Sequence, residues 1–590
     1  MAYLRDRPER CPSPPRAYKK MDFLNSGNAR ILRIMCEFEE PRVRLEANGI
    51  DNIVMIFGSA RSKSREEYDA ALAELRTKVK SDPSVQPSLT RLERMDFLCR
   101  YHEETKKLAG LITKFSMERK AQGLPTYAVG TGAGPGMMES ANEGAWRAGG
   151  DSLGFGISLP FETGLNPYVT PELGFEFHYF FTRKYWMSYK CQGLVVAPGG
   201  YGTCDELFEI LTLMETGKIK RKLPVILFGE QYWKDVLNLD MMVASGLASP
   251  SELKRLYICD TAEDAFNHLK TFWLNAEAEK KAASEAPAAE PPAKRQATNG
   301  SRANAAEPER PCPQKAYKNI DFIKSPHSRQ FRILCEFEET RLRLEAHNIN
   351  NVLLFVGSGR LKNHDGHIQA LADAYKSNDA EATDLLARQQ PFLRYHHIAR
   401  DLARQVTSWS LARHESGKAS YHVATGGGEG LLESVNEGAW EAGGKSLAFS
   451  SGSYSMGTGN VNRYVTPELA FKFHYFFTRK FWMAYKCMGL VAMPGGIGTC
   501  DELFEILTLM QTGKITRKFP VVLFGVDYWK KAVQWQKMAD YGMISDDDVA
   551  HLLFTDSADT AFRHIVSYWE SIEVDGQTSR ALGKKKKADE

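Results

Sequence analysis

Two glutamates, Glu206 and Glu502, each close the same nine-residue string: Pro198-Gly199-Gly200-Tyr201-Gly202-Thr203-Cys204-Asp205-Glu206 and Pro494-Gly495-Gly496-Ile497-Gly498-Thr499-Cys500-Asp501-Glu502. Each string follows an apolar run and opens an amphipathic pattern, so a glycine turn delivers the chain into a helix. Such turns let backbone N–H groups approach an anion, and the helix N-terminus adds partial positive charge. Gly199, Gly200, Gly202 and Thr203, with Gly495, Gly496, Gly498 and Thr499, are therefore candidate phosphate binders. A carboxylate in a first helical turn also stabilises the macrodipole by itself, a role that suits Asp205 and Asp501. A bound phosphate would repel that charge, so a glutamate present in both copies is read as a catalytic or ribose-binding group.

Two further turns per copy join the set. Gly58 and Ser59 end one predicted strand and Gly357 and Ser358 its counterpart; the loop with Gly132, Gly134 and Gly136 ends another, matched by Gly427, Gly428 and Gly430. Any one of these could be a tight turn and nothing more; three converging at strand ends, twice, point to a phosphate or nucleotide site. Arg183 and Arg479 stand in Phe-Phe-Thr-Arg-Lys segments upstream of the string, where guanidinium suits bidentate phosphate recognition. As a bland alternative, Arg and Lys of this aromatic helix reach water past a packed face. No Lys-Ser/Thr pair follows either loop, which excludes a Walker A site, and no GxGxxG with a following ribose-binding acid supports a dinucleotide. His178 and His474 rank second, as caps or packing residues. His364 and His367 have no counterpart in the first copy, and neither they nor the cysteines have metal spacing, so no metal is expected. Cys204 lacks a positioned histidine base.

The positioning elements follow from periodicity. Apolar runs at 53–57, 126–129, 152–157, 194–197 and 224–228 read as buried strands, and helical patterns at 95–120, 137–148, 178–191 and 205–216 alternate with them. This alternation predicts an α/β chain of two tandem Rossmann-like, doubly wound parallel-sheet domains. The segment 29–47 looks helical, with Pro41 expected to bend or break it and Thr340 in its place in the second copy.

The repeat divides 590 residues into units 1–275 and 311–575. Between them, 276–310 is rich in Ala, Glu, Pro and Lys and reads as a flexible linker; 576–590 reads as a basic tail. Lys+Arg 76 against Asp+Glu 73 gives no basic field of the kind that gathers nucleic acid. Ten unpaired-looking cysteines, no apolar leader in the first 16 residues and no apolar run near the ~18 residues a membrane helix needs fit a cytoplasmic protein without a membrane partner.

The PGGxGTxxE pattern and the preceding Arg-Lys pairs, Arg183-Lys184 and Arg479-Lys480, resemble the LOG (Lonely Guy) family, often mislabelled as lysine decarboxylases. The resemblance implies a Rossmann-like fold, dimeric pairing, and hydrolysis of the N-glycosidic bond of nucleoside 5′-monophosphates to free base and ribose 5-phosphate without a cofactor. It puts Arg183, Glu206, Arg479 and Glu502 at catalytic positions and the loops at 132–136 and 199–203 at nucleotide-binding segments. Glu206 would activate water or stabilise ribosyl charge. A nucleotide sensor or carrier without turnover is the alternative; a pyridoxal decarboxylase fares worst, since Lys184, the sole Schiff-base candidate, reads as a helix-surface cation. Trp146 or Trp186 would stack on a purine or simply pack, as Trp440 and Trp482 would.

Family dimers imply that the two units pair within the chain as a pseudo-twofold dimer, with the aromatic helices at 178–191 and 474–487 as the seam and further homo-oligomers as an option. Glu429 in place of Pro135 and Ile497 in place of Tyr201 put equal activity of the two sites in doubt.

Overall fold

The computed structural model describes residues 19–159, 164–285, 319–451 and 461–586. Seven parallel strands form each of two sheets. In the first half they are β1 (Ile53–Phe57), β2 (Ala128–Thr131), β3 (Ser152–Ile157), β4 (Gly174–Phe177), β5 (Cys191–Val196), β6 (Val225–Phe228) and β7 (Leu256–Cys259), in the order β4-β3-β2-β1-β5-β6-β7. In the second half β8 (Val352–Val356), β9 (His422–Thr425), β10 (Ser446–Ser450), β11 (Ala470–Lys472), β12 (Cys487–Ala492), β13 (Val521–Phe524) and β14 (Leu552–Thr555) repeat it as β11-β10-β9-β8-β12-β13-β14. Strand order reverses between β1 and β5, and between β8 and β12. That reversal opens a crevice at the carboxyl ends of the strands, where ligands of such sheets sit. The doubly wound expectation is met in both halves.

The helices that bear on the site are α1 (Arg30–Ala47), α2 (Leu98–Ala121), α3 (Met137–Arg147), α4 (Phe180–Tyr189), α5 (Tyr201–Glu215) and α6 (Ala262–Glu285). Their second-half counterparts are α7 (Arg329–Ala346), α8 (Arg394–Glu415), α9 (Leu431–Glu441), α10 (Phe476–Tyr485), α11 (Ile497–Gln511) and α12 (Ala558–Lys586). Two boundaries differ from the compositional reading. Helix α6 runs ten residues into the segment read as linker, anchored where Arg119 Nη2 meets Glu277 Oε1 at 2.7 Å; its Ala, Glu and Lys are good helix formers even without an apolar stripe. Helix α12 likewise carries the backbone to Lys586, through most of the expected tail. The linker's remaining residues, 286–310, lie outside the described residues.

Pro41 does not break α1. The carbonyl it cannot reach, that of Glu37, accepts a bond from the Trp186 indole at 2.9 Å instead. Where Thr340 replaces the proline, the matching Trp482 Nε1 is buried without a partner. The proline and the tryptophan thus satisfy one another's deficit in the first half only.

The two halves face each other through α4, α5, α10 and α11. Phe208 and Phe504 stack with centroids 5.4 Å apart, Phe181 and Phe477 at 6.0 Å. Contacts come in exchanged pairs: Phe38 with Phe477 and Phe181 with Phe337, Arg30 over the Tyr485 ring and Arg329 over the Tyr189 ring, Lys218 with the His474 carbonyl and Lys514 with that of His178. This reciprocity is the signature of a twofold relation. The aromatic helices do meet, as expected, but the larger share of the seam is α5 against α11.

At its centre lies a buried charge cluster. Lys184 Nζ is 2.6 Å from both Asp205 Oδ1 and Glu209 Oε2; Lys480 Nζ is 2.6 Å from Asp501 Oδ1, 3.2 Å from Glu505 Oε2 and 3.8 Å from Glu209 across the seam. Burial alone would lower the ammonium pKa of Lys184, but Asp205 and Glu209 hold it well above the usual lysine range. Burial pushes the Asp205 carboxyl up and that of Asp501 to about 7, against the pull of the lysines. Lys184 is therefore neither a surface cation nor an available Schiff-base amine. Cutting Lys184→Met leaves carboxylates buried without their counterion and is expected to cost about 3–5 kcal/mol of stability. A buried carboxyl with a raised pKa stabilises the fold below its unfolded value and loses that contribution as pH rises through the folded one. The deficit should thus be larger at pH 8.5 than at pH 5.5 in urea melts; a pH-independent deficit would contradict this assignment.

Candidate functional site

The loops after β1, β2 and β5 meet at the crevice. Ser59 N–H donates to the Pro198 carbonyl at 2.9 Å, and Met137 N–H to the Ser59 carbonyl at 3.1 Å, tying the three turns together. The second loop is shaped by buried side chains. Thr131 Oγ1 accepts from Ala133 N–H at 2.9 Å and donates to Asn142 Oδ1 at 2.7 Å, and Asn166 Nδ2 donates to both Asn142 Oδ1 and the Gly134 carbonyl. Thr425, Asn436 and Asn462 repeat this network. Gly136 has φ +71°, and a Cβ there would stand 2.5 Å from the Ser59 carbonyl, so only glycine fits.

Helix α5 begins at Tyr201, not at Asp205. The first turn is therefore the Gly-Thr segment itself, and the two acids belong to the second turn. Asp205 is fully buried on Lys184, which overturns its reading as helix decoration. Its neighbour Glu206, rotated along the helix, lines a cavity of about 210 Å³ with Gly58, Ser59, Gly132, Gly200 and Thr203. Burial raises the Glu206 carboxyl, while Lys184 and Arg183 pull it down.

Arg183 lines the same cavity. Its Nε donates to the Phe155 carbonyl at the end of β3, 2.7 Å away, which fixes the guanidinium beside the second loop. The helix that carries it is capped from α1, because Glu37 accepts from the N–H groups of His178 and Tyr179 and from the Thr182 hydroxyl. In the second half, Arg479 Nε holds the Phe449 carbonyl at 2.7 Å, Arg479 Nη2 meets Glu502 Oε1 at 2.6 Å, and Glu336 repeats the cap. This second cavity, of about 170 Å³, is lined by Gly357, Ser358, Gly428, Gly496, Gly498 and Thr499 besides that pair.

Most sequence candidates therefore converge. Gly134 and Gly202 line the first cavity, whereas Gly136, Gly199, Gly430 and Gly495 shape the turns from behind; a Cβ on Gly199 or Gly495 would fall 2.1 Å from the hydroxyl of Thr203 or Thr499. Gly427 is displaced by one residue. Gly426 is the wall of the second cavity, and Gly427 takes the positive-φ position that Ala133 holds in the first. Glu429 points to solvent, which removes it as a reason for unequal sites. Trp146 and Trp440 lie exposed against Tyr168 and Tyr464, and Trp186 is buried against α1; none lines either cavity. Burial holds the Cys204 thiol up, away from nucleophilic use. Asp205, Glu209 and Asp501 bring carboxylate oxygens within 4.8 Å of one another, but Lys184 and Lys480 occupy the place a cation would take.

Sequence reasoning missed three kinds of residue. Arg61 and Arg360 extend the Gly-Ser turns into the cavities, and the repeated Gly-Ser-x-Arg spacing was the available signal. Glu37 and Glu336 sit in the repeated Cys-Glu-Phe-Glu-Glu. Each cavity also takes wall residues from the opposite half, Thr508, Gln511 and Met543 in the first, Thr212, Glu215 and Leu247 in the second, which no local pattern announces.

A family model described as "possible lysine decarboxylase" matches residues 138–269 and again 432–565. Both halves of the chain match this one family model, in equivalent places. The LOG resemblance drawn from PGGxGTxxE is borne out. Among relatives, a "probable cytokinin riboside 5′-monophosphate phosphoribohydrolase LOGL3" of Oryza sativa subsp. japonica is 31% identical over 91 residues, 15% of this chain and 43% of the relative. A "cytokinin riboside 5′-monophosphate phosphoribohydrolase" of Rhodococcoides fascians is 28% identical over 90 residues, 15% of this chain and 45% of the relative. The chain thus spans less than half the length of these curated relatives. Among solved structures, the Moco carrier protein of Chlamydomonas reinhardtii is 16% identical with a TM-score of 0.23, covering 38% of this chain and 99% of its own. A structural-genomics X-ray structure gives 17% and 0.23, covering 37% and 99%. Among the described residues no helix is long and apolar enough to cross a membrane.

Gly132 offers a clean test of the arginine's place. A Cβ there would lie 2.4 Å from Arg183 Nη2, the far end of a flexible side chain, and not against backbone. Gly132→Ala should keep stability within about 1 kcal/mol yet displace the guanidinium and weaken phosphate-monoester binding at the first cavity, read by calorimetry. Unchanged affinity would separate Arg183 from the anion.

Proposed function

We propose that the chain hydrolyses the N-glycosidic bond of nucleoside 5′-monophosphates, releasing free base and ribose 5-phosphate. The observation that carries this reading is the meeting of a buried glutamate and a carbonyl-anchored arginine in a cavity walled by three glycine turns at the sheet's switch point. The phosphoribohydrolase activity named for the two relatives supports the same reaction class. The adenine-type, guanine-type and pyrimidine nucleotides are all candidate substrates.

In this reading the 5′-phosphate lies on the N–H groups of the Gly199–Thr203 turn and on Arg183. Remote binding energy of this kind orients C1′ for attack. Glu206 takes a proton from water as the new C1′–O bond forms, the C1′–N bond breaks with its electron pair to the base, and the departing base takes up a proton from solvent while Glu206 returns its own to solvent, so that one water is divided between ribose 5-phosphate and the base. Raised by burial above the ordinary 4.5, the carboxyl is nearer the operating range of a general base. Its buried negative charge also favours the oxocarbenium-like ribosyl centre.

Incubation with AMP, GMP, CMP and UMP, with detection of free base, tests the reaction. Glu206→Gln combined with Glu502→Gln should still bind nucleotide but lose roughly 10²–10⁴-fold in turnover. For the native chain, kcat/KM should fall as pH drops through the raised Glu206 pKa, so the acid limb should lie above 4.5. Native-like base release by the double variant would remove the glutamates from the chemistry.

A further inference from the structure

The cavities differ most in what the opposite half contributes. In the second, the Arg360 guanidinium reaches across the seam to two carboxylates: its Nη2 donates to Glu215 and, at 2.5 Å, to Glu252 Oε1. Glu252 is buried, Glu215 largely so, and Arg360 and Glu215 both line the cavity. In the first cavity the corresponding Arg61 meets no side-chain carboxylate within ion-pair distance among the described residues. Its Nη1 donates instead to the Gly542 and Met543 carbonyls, at 2.8 and 2.7 Å. The residue matching Glu215 there is Gln511, whose amide turns to Asp548 Oδ2 at 3.1 Å.

We propose that the two cavities are unequal sites for phosphate monoesters, with the second held self-neutralised by Glu215 and Glu252 from the first half. A phosphate entering the first cavity finds Arg61 bonded to carbonyl oxygens, with Asp548 acting on it from a distance and held by the Gln511 amide. One entering the second must displace carboxylates from Arg360 and then sit beside them, in a water-poor cleft where a like charge a few ångströms away is strongly unfavourable. Even with one proton shared between the two carboxyls, the arginine's charge is already matched. Inequality therefore arises at the seam, from Glu215 against Gln511 and from Glu252 against the shorter Asp548, and not from the glycine loops, whose threonine–asparagine networks recur in both halves. In the proposed reaction, on which this inference rests for its choice of ligand, the first cavity carries turnover and the second is a low-affinity copy released when Glu215 is neutralised.

The test uses ribose 5-phosphate titrated calorimetrically into the full chain. Arg479→Ala leaves the first cavity intact, and Arg183→Ala the second. The first-cavity chain should bind at least about tenfold more tightly. Adding Glu215→Gln to the Arg183→Ala chain should close most of that gap, Glu252→Gln should close part of it, and Gln511→Glu in the Arg479→Ala chain should weaken binding. Equal affinities of the two single-site chains, or no response to either glutamate variant in chains that melt normally, overturn the inference. Base release from AMP is read in parallel. Unequal affinities without release refute the hydrolase reading and leave this inference standing, whereas release with equal affinities does the reverse.

Discussion

Lys184 and Lys480, buried between four carboxylates where the halves meet, set the geometry of everything around them. Charges so placed are stable only while the opposing helix seals them from water and supplies its share of the counterions. The cluster also sorts adjacent residues. In Arg183-Lys184 and in Asp205-Glu206, one member of each pair faces the seam and the other the cavity, because neighbours on a helix point about 100° apart. Locking Lys184 onto Asp205 thereby turns Arg183 and Glu206 into one pocket. The same dipeptides perform both tasks in the second half, where Arg479 and Glu502 are seen in direct contact.

The tandem arrangement changes what duplication can do. A dimer of identical subunits presents two identical cavities, each finished by residues of the other subunit. With both copies on one chain, the finishing residues are free to differ. Glu215 and Gln511 occupy matching places on α5 and α11, yet one faces an arginine of the opposite half and the other does not. Aromatic stacking and exchanged hydrogen bonds keep the frame symmetric while the polar walls diverge.

Fold class, repeat and most of the cavity were legible in sequence because they rest on short-range rules. Apolar runs bounded by glycine gave the five inner strands of the first sheet, and glycine turns followed by helices gave the anion site. The edge strands β4 and β7 escaped: each has only four residues and is partly exposed, so neither carries a continuous apolar run. Asp205 was misread because the onset of α5 was placed four residues late, and a helix start cannot be fixed by composition when glycine and threonine form the first turn. Arg61, Glu215 and Glu37 act across long chain separations, and their partners emerge only when the sheet brings loops together. The Ala- and Glu-rich end of the first unit was read as coil from its lack of apolar residues, although helix propensity and the Arg119–Glu277 contact extend α6.

Each half completes the other, since both cavities take wall residues from across the seam, and the chain packs as one unit and not as two tethered ones. Cleaving the full chain at a protease site introduced near residue 300, followed by gel filtration and an AMP base-release assay, addresses this directly. The account predicts that the cut halves co-elute and retain the activity of the intact chain. Halves that separate and remain active would contradict it.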